Sequence, residues 1–336
     1  MQTGGLTMWV DMMRDNRILV GDVGGTHARF AIVDTSEKPL RVGQRADLET
    51  DKYGSFQPAL KAYLAGARAE QPDAAAIAVA GPVTDGRVHF TNSGWDVAED
   101  DLRAQGFARA LLINDFAALA YSIAALPASA FHTIGPEIEG MSDEPITIVG
   151  AGTGFGVSCL ARYRGRTVPM ATEGGHMSFA PRGNDQIAVL QLLAKRFGHV
   201  SIERVLSGPG LENIYAALGE IAGRKSQPLS AEQISEQAEA GDAACRAAQD
   251  MFCSIYGAVA GDFALAHGAR GGVYIAGGIA AKIEPYLQHS SFRTAFEDKG
   301  RLSYFVKPIP TKLILDPNAA FLGAANASLE FEGDTQ

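Results

Sequence analysis

The stretch ILVGDVGGTHARFAIVD, from Ile18 to Asp34, sets two apolar runs on either side of a glycine-rich turn. Gly21, Gly24 and Gly25 supply the glycines, Asp22 and Val23 lie among them, and Thr26 closes the turn. A Walker loop would end in Gly-Lys-Ser/Thr, which this turn lacks. A Rossmann fingerprint would open a helix, yet RFAIVD after the turn reads as a strand. The pattern is strand–turn–strand, with bare backbone N–H groups and one carboxylate at its tip. Such a concavity binds anions, and the carboxylate can hold a hydrated metal beside them. An ordinary tight hairpin fits this stretch alone equally well.

The same design returns in ITIVGAGTGFGVSCLA, from Ile146 to Ala161, where Gly150, Gly152, Thr153, Gly154 and Gly156 interrupt two apolar runs. One such turn in each half predicts two related domains facing each other, able to grip one polyphosphate from opposite sides. Between them, SFQPALKAYLAGARAE has helical spacing after a Ser55 cap, and AAAIAVAGPV is a buried strand. RALLIND is another strand, running into the helical FAALAYSIAAL. This alternation describes an α/β fold with an internal sheet. The loop-rich PASAFHTIGPEIEGMSDEP marks a domain boundary.

Beyond the second turn the chain is more helical. DQIAVLQLLAKRFG is amphipathic, SIERVL starts after a Ser201 cap, and Ser230 with Gln233 forms a capping box. The segment DAACRAAQDMFCSIYGAVAGDFALAHG carries Gly257, Ala260, Gly261 and Ala264, small enough for close packing. GGVYIAGGIAAKIEPYL reads as strand, Gly277-Gly278, helix, a terminus that a ring or phosphate can approach. TKLILD is a strand and NAAFLGAANASL a closing helix that returns to the first domain. The expected division is a tail over 1–17, a small α/β domain over 18–126 plus 316–336, and a large α/β domain over 127–315.

With 336 residues, 46% of them hydrophobic, the chain can build one large core or two modest ones. A net charge of −9 spread along the chain argues against nucleic-acid or anionic-membrane partners. Cys159, Cys245 and Cys253 show neither metal spacing nor an even count, which fits a reducing cytoplasm. No apolar run reaches the ~18 residues of a membrane span, and MQTGGLTMWVDMMRDN lacks the features of a secretory signal. The histidines show no paired metal-ligand spacing, and Trp95 reads as core.

Asn114-Asp115 end a buried strand, where open α/β sheets place ligand-binding groups. A carboxylate there can orient a hydroxyl and take its proton; Asp115 can also cap the helix starting at Phe116, or do both. In TEGGHMSFAP, Glu173 and His176 flank Gly174-Gly175, either as a polar cluster suited to a polyhydroxylated ligand or as a surface turn. Glu203, one step into a helix, is a favourable N-terminal charge.

GDVGGTHAR, INDF, GAGTGFGV, EGGH, ERVLSGPGL, IAGGI and AFEDKGR occur in the order and spacing of the bacterial glucokinases. From Ile18 to about Leu329 the chain resembles that family of the actin/hexokinase/heat-shock-chaperone superfamily. The resemblance implies an actin-like, two-domain α/β fold with an active-site cleft between the domains, a cytoplasmic homodimer, and ATP-dependent phosphorylation of D-glucose to glucose 6-phosphate. It implies that Gly21 to Thr26 and Gly152, Thr153 and Gly154 bind the phosphates of ATP, with Asp22 near Mg2+. Gly277 and Gly278 match the adenosine motif, and Asn114, Asp115, Glu173, His176 and Glu203 the glucose positions, Asp115 being the catalytic base. His27 departs from the family's usual asparagine.

Relatives that phosphorylate N-acetylated hexosamines carry a cysteine zinc cluster after the histidine, whereas MSFAPRGNDQ follows His176 here. A kinase for mannose or another hexose remains the alternative within the class. A sugar-sensing regulator would need a helix-turn-helix, for which residues 1–17 are too few.

Overall fold

The first apolar run is β1 (Arg17–Val23), which turns at Gly24 and pairs antiparallel with β2 (His27–Asp34), Val23 lying opposite Ala28. The computed structural model describes residues 16–67, 71–90, 94–163, 166–224 and 227–333. Most of the expected tail over 1–17 lies outside them, and Arg17 is already paired in β1. β3 (Arg41–Glu49) extends the hairpin, β4 (Ala74–Val79) runs parallel to β1, and β7 (Arg109–Asn114) runs parallel to β4. The sheet order is therefore β3-β2-β1-β4-β7. β5 (Arg87–His89) and β6 (Asp96–Ala98) form a separate hairpin.

Every residue of β4 is buried, as a strand flanked by two parallel neighbours requires. Leu19, Phe30 and Ile77 of this sheet pack with Phe56 and Leu60 of α1 (Phe56–Gly66) and with Trp95. Each such side chain contributes about 1.5–3 kcal/mol on burial. Ser55 occupies the N-cap position of α1, but its hydroxyl makes no cap bond. α2 (Glu99–Ala104) and α3 (Asp115–Ala125) follow β6 and β7.

The loop-rich connector contains a short strand, β8 (Phe131–Thr133), that joins a second sheet. β9 (Ile146–Ala151) and β10 (Phe155–Tyr163) form its hairpin, extended by β11 (Arg166–Thr172). β12 (Gly272–Ala276) runs parallel to β9, and β13 (Thr311–Ile314) parallel to β12. The order β11-β10-β9-β12-β13-β8 repeats the first sheet strand for strand, with β8 added at the edge. The repeated glycine turn is thus part of a repeated topology.

The helices of this half are α4 (Gly183–Phe197), α5 (Gly208–Ile221), α6 (Ala231–Ala240), α7 (Ala243–His267), α8 (Gly278–Lys282), α9 (Glu284–His289), α10 (Phe292–Glu297) and α11 (Ser303–Val306). The Ser230–Gln233 capping box opens α6 with bonds of 3.0 and 3.2 Å. In α7 a Cβ on Gly257 or Gly261 would overlap the carbonyls of Phe292 and Phe296, so the small residues let α10 cross at backbone contact. α12 (Ala319–Gly333) packs on α3, where Gly323 lies against the Ala118 carbonyl. The chain divides into two compact units, residues up to Ala128 with those from Asp316 onward, and Ser129–Leu315. Among the described residues no helix is long and apolar enough to cross a membrane, and all three cysteines are buried and free.

Candidate functional site

In the first unit, Val23, Val79 and Asn114 stand in one row across β1, β4 and β7. The first glycine turn and the Asn114-Asp115 pair therefore share the C-terminal edge of the parallel strands. They stand two strands, or about 10 Å, apart.

The turn is closed by a 2.9 Å bond from Gly24 N to His27 O. Thr50 fixes it from β3's end, its N–H donating to Thr26 O at 3.0 Å and its hydroxyl to Gly25 O at 2.8 Å. A Cβ on Gly24 would come no nearer than 3.9 Å to a neighbour, so this glycine leaves the backbone accessible. Gly21 differs: a Cβ there would sit 2.8 Å from Ile77 and 3.4 Å from Phe30. Gly21 is a packing glycine inside β1, and the Val23 side chain belongs to the core.

Asp22, Arg29 and Asp47 are direct cross-strand partners on β1, β2 and β3. Arg29 bridges them, with Nη1 3.1 Å from Asp22 Oδ2 and Nε 3.2 Å from Asp47 Oδ2. Burial pushes the Asp22 carboxyl above its usual range, and the Arg29 charge opposes that rise. No cluster of three metal-ligating side chains occurs among the described residues. A lone, half-buried carboxylate suits Mg2+, which keeps most of its waters and accepts one or two protein carboxylates beside substrate phosphates.

Asn114, not Asp115, caps α3. Its Oδ1 accepts from Phe116 N at 3.0 Å and Ala117 N at 3.2 Å, while its Nδ2 donates to Gly81 O at 3.1 Å. Asp115 is the first helical residue and accepts from Phe116 N at 2.9 Å. Of the roles open to Asp115, the N-cap falls to its neighbour, because the strand ends at Asn114 and the helix begins at Asp115.

In the second unit the Gly152-Thr153-Gly154 turn is closed by Gly152 N donating to Gly154 O at 2.8 Å. Gly208 N, at the start of α5, donates to Gly152 O at 2.9 Å. Nothing stands within 4 Å of a Cβ on Gly152. Gly277 has a φ of +89° and abuts the Ala151 carbonyl, so it must be glycine; Gly278 faces open space. α8 has only five residues, so the expected dipole at Gly278 is slight and accessibility is what the glycine pair supplies.

Glu173 and His176 project from a 3-10 turn with Nε2 and Oε2 3.9 Å apart, both side chains more than 60% exposed. Gly174 and Gly175 are buried beneath them. A Cβ on Gly174 would stand 2.7 Å from the Phe263 ring, and one on Gly175 would overlap the Phe155 carbonyl. Glu203 sits in a single 3-10 turn, Ile202–Arg204, so it is not a helix-start charge, and Ser201 makes no cap bond. Its Oε2 accepts from Phe155 N at 3.0 Å and lies against Gly154. Ile202 N donates to Met177 O at 2.9 Å, which lays the two segments side by side. Phe155 therefore touches both parts of the cluster, and Phe155 directly follows the second phosphate turn.

Sequence reasoning missed Arg29, Asp47 and Thr50. The hairpin register carried the signal for Arg29, since a two-residue turn, Gly25-Thr26 closed between Gly24 and His27, puts it opposite Asp22.

The family model described as Glucokinase matches residues 19–330. The glucokinase of Caulobacter sp. (strain K31) is 48% identical, covering 92% of this chain and 94% of that one. That of Caulobacter vibrioides (strain NA1000 / CB15N) is 46% identical over the same shares. Among solved structures, the glucokinase from an Antarctic psychrotroph is similar with a TM-score of 0.84 and 35% identity, covering 94% of this chain and 100% of that one.

Proposed function

The chain belongs to the glucokinase family and has its actin-like α/β fold, and from that premise we propose how it transfers the γ-phosphoryl group of ATP to the 6-hydroxyl of D-glucose. Asp115 orients that hydroxyl and takes its proton as the oxygen attacks in line. Asn114 supports this role by capping α3 itself, so that the neighbouring carboxylate is not the residue on which the helix start depends. Glu173, His176 and Glu203 accept and donate hydrogen bonds to the other sugar hydroxyls. The backbone of Gly24 to Thr26 and of Gly152 to Gly154 receives the phosphates. Gly277 and Gly278 let the nucleotide approach the chain closely.

Asp22 would hold Mg2+ through its waters, sharing its carboxylate with Arg29. When bound, the ion neutralises charge on the β- and γ-phosphates, which is much of what phosphoryl transfer asks of a protein. A homodimer in the cytoplasm fits the family and the three reduced cysteines.

One observation carries the reading. Glu203 bonds the peptide that follows Gly154, and the Glu173–His176 turn rests on the same residue. The polar cluster and the second phosphate turn are thereby one structure. The test is ADP formation with and without glucose in the wild type and in Asp115→Asn. General-base catalysis contributes ~10²–10⁴-fold, so the variant should lose turnover on that scale; full activity would remove Asp115 from the mechanism.

A further inference from the structure

AFEDKGR, residues 295–301, lies outside both the phosphate turns and the sugar cluster, yet its Lys299 is a buried cation. The side chain is 3% exposed, and Nζ donates to Ala258 O at 2.6 Å and to Asp262 Oδ1 at 2.5 Å. Burial pulls the ammonium below its ordinary range, and the Asp262 carboxylate opposes that fall. Gly261 makes room for the contact, since a Cβ there would stand 2.5 Å from Lys299 Cε. A glycine inside a helix and a desolvated charge both lower stability. An apolar side chain of that length fills such a site as well or better, so stability alone does not account for the lysine.

What Lys299 holds is the floor of the Glu173–His176 turn. Asp262 and the adjacent Phe263 line a cavity of about 450 Å³ together with Glu173 and Gly174, and the Phe263 ring lies against Gly174. The turn therefore spans a cavity rather than a filled core, and supports at the rim set its position. Asp298, the residue before Lys299, makes the second support. Arg182, six residues beyond His176, donates from Nη1 to Asp298 Oδ2 at 3.2 Å and to Ala295 O at 3.3 Å, and from Nη2 to Asp298 O. Two neighbouring residues thus tie down both α7 below the turn and the chain that leaves it. We propose that Lys299 and Asp298 are positioning residues for glucose, holding Glu173 and His176 where the sugar's hydroxyls need them without touching the sugar. The proposal rests on the sugar half of the kinase reading.

Lys299→Met keeps the side chain's length and removes the ammonium, and Asp262, 56% exposed, stays solvated. The melting temperature should hold level or rise, whereas a merely structural lysine would lower it. KM for glucose should rise about tenfold, because a binding group out of place loses most of its contact; KM for ATP and kcat should barely move. Made in His176→Ala, the same substitution should raise the glucose constant less than in the wild type, since both act through one turn. An unchanged glucose constant, equal rises for glucose and ATP, or full additivity with His176→Ala would overturn the assignment. Should Lys299→Met fail to fold, Arg182→Met cuts the second support from its other end and should raise the glucose constant alone; no change there would overturn it. Amide exchange over residues 173–177, measured without ligand, should quicken in either variant while that of β9 holds, and unchanged exchange would also overturn it. A wild type that phosphorylates no sugar would instead refute the kinase reading, while amide exchange still reports on the turn's supports.

Discussion

Replacing Asn114 by alanine separates the work of two adjacent residues. The substitution removes the acceptor for Ala117 N at 3.2 Å, one of the two acceptors of Phe116 N (3.0 Å, Asp115 Oδ1 remaining at 2.9 Å), and the donor to Gly81 O at 3.1 Å. Loss of an N-cap costs about 1 kcal/mol, and loss of the bond to Gly81 about 1 kcal/mol more. The sum, about 2 kcal/mol, corresponds to a fall in Tm of about 4–8 °C for a unit of this size. Asp115→Asn leaves those bonds in place and should stay within about 0.5 kcal/mol of the wild type. Thermal unfolding followed by circular dichroism, with urea midpoints as a second measure, reads both variants. If Asp115→Asn lost as much stability as Asn114→Ala, the division between cap and base would be wrong, and Asp115 would be a structural residue.

Asp22→Asn should raise KM for ATP and the Mg2+ concentration at half-maximal rate, while glucose affinity measured by calorimetry stays within about twofold of wild type; unchanged Mg2+ dependence would remove Asp22 from the metal's environment. Glu203→Ala should raise the constants for glucose and ATP together, because the carboxylate also holds Phe155 N beside the second phosphate turn; His176→Ala, whose exposed ring has no such tie, should raise the glucose constant alone. His267 bonds Thr147 Oγ1 at 2.9 Å, and burial pushes its imidazole below the usual range. The unfolded chain therefore takes up this proton below about pH 6.5 while the folded chain resists it. Its contribution is complete above that pH and is lost as pH falls, at no more than about 1.4 kcal/mol per unit. Urea midpoints at pH 7.5 and 5.5 should differ less in His267→Gln than in the wild type, and equal differences would refute the point.

Where the sequence carried an apolar run it carried the fold. The two glycine turns and the fully buried AAAIAV and ITIVGA strands were legible because burial on both faces leaves no polar residue in the run. β3 and β11 were not, since they flank their hairpins on the outer side. RVGQRADLE has no buried residue, and Val168 and Met170 of β11 are about half exposed. Glu203 read as a helix start because Ser201 resembles a cap, but the turn ends after Arg204, and the carboxylate is spent on Phe155, a partner 48 residues away. Asn114 and Asp115 are both competent caps, so a shift of one residue at the strand's end decided between them.

The most direct test of the central claim is to identify the product. Purified protein, Mg-ATP and glucose are combined, and phosphorus and carbon NMR record which atom of the sugar gains the phosphoryl group. One ADP should form for each glucose 6-phosphate, with ADP formation near zero when the sugar is left out. ADP released at the same rate without glucose, or phosphate appearing anywhere but on the 6-oxygen, would contradict it.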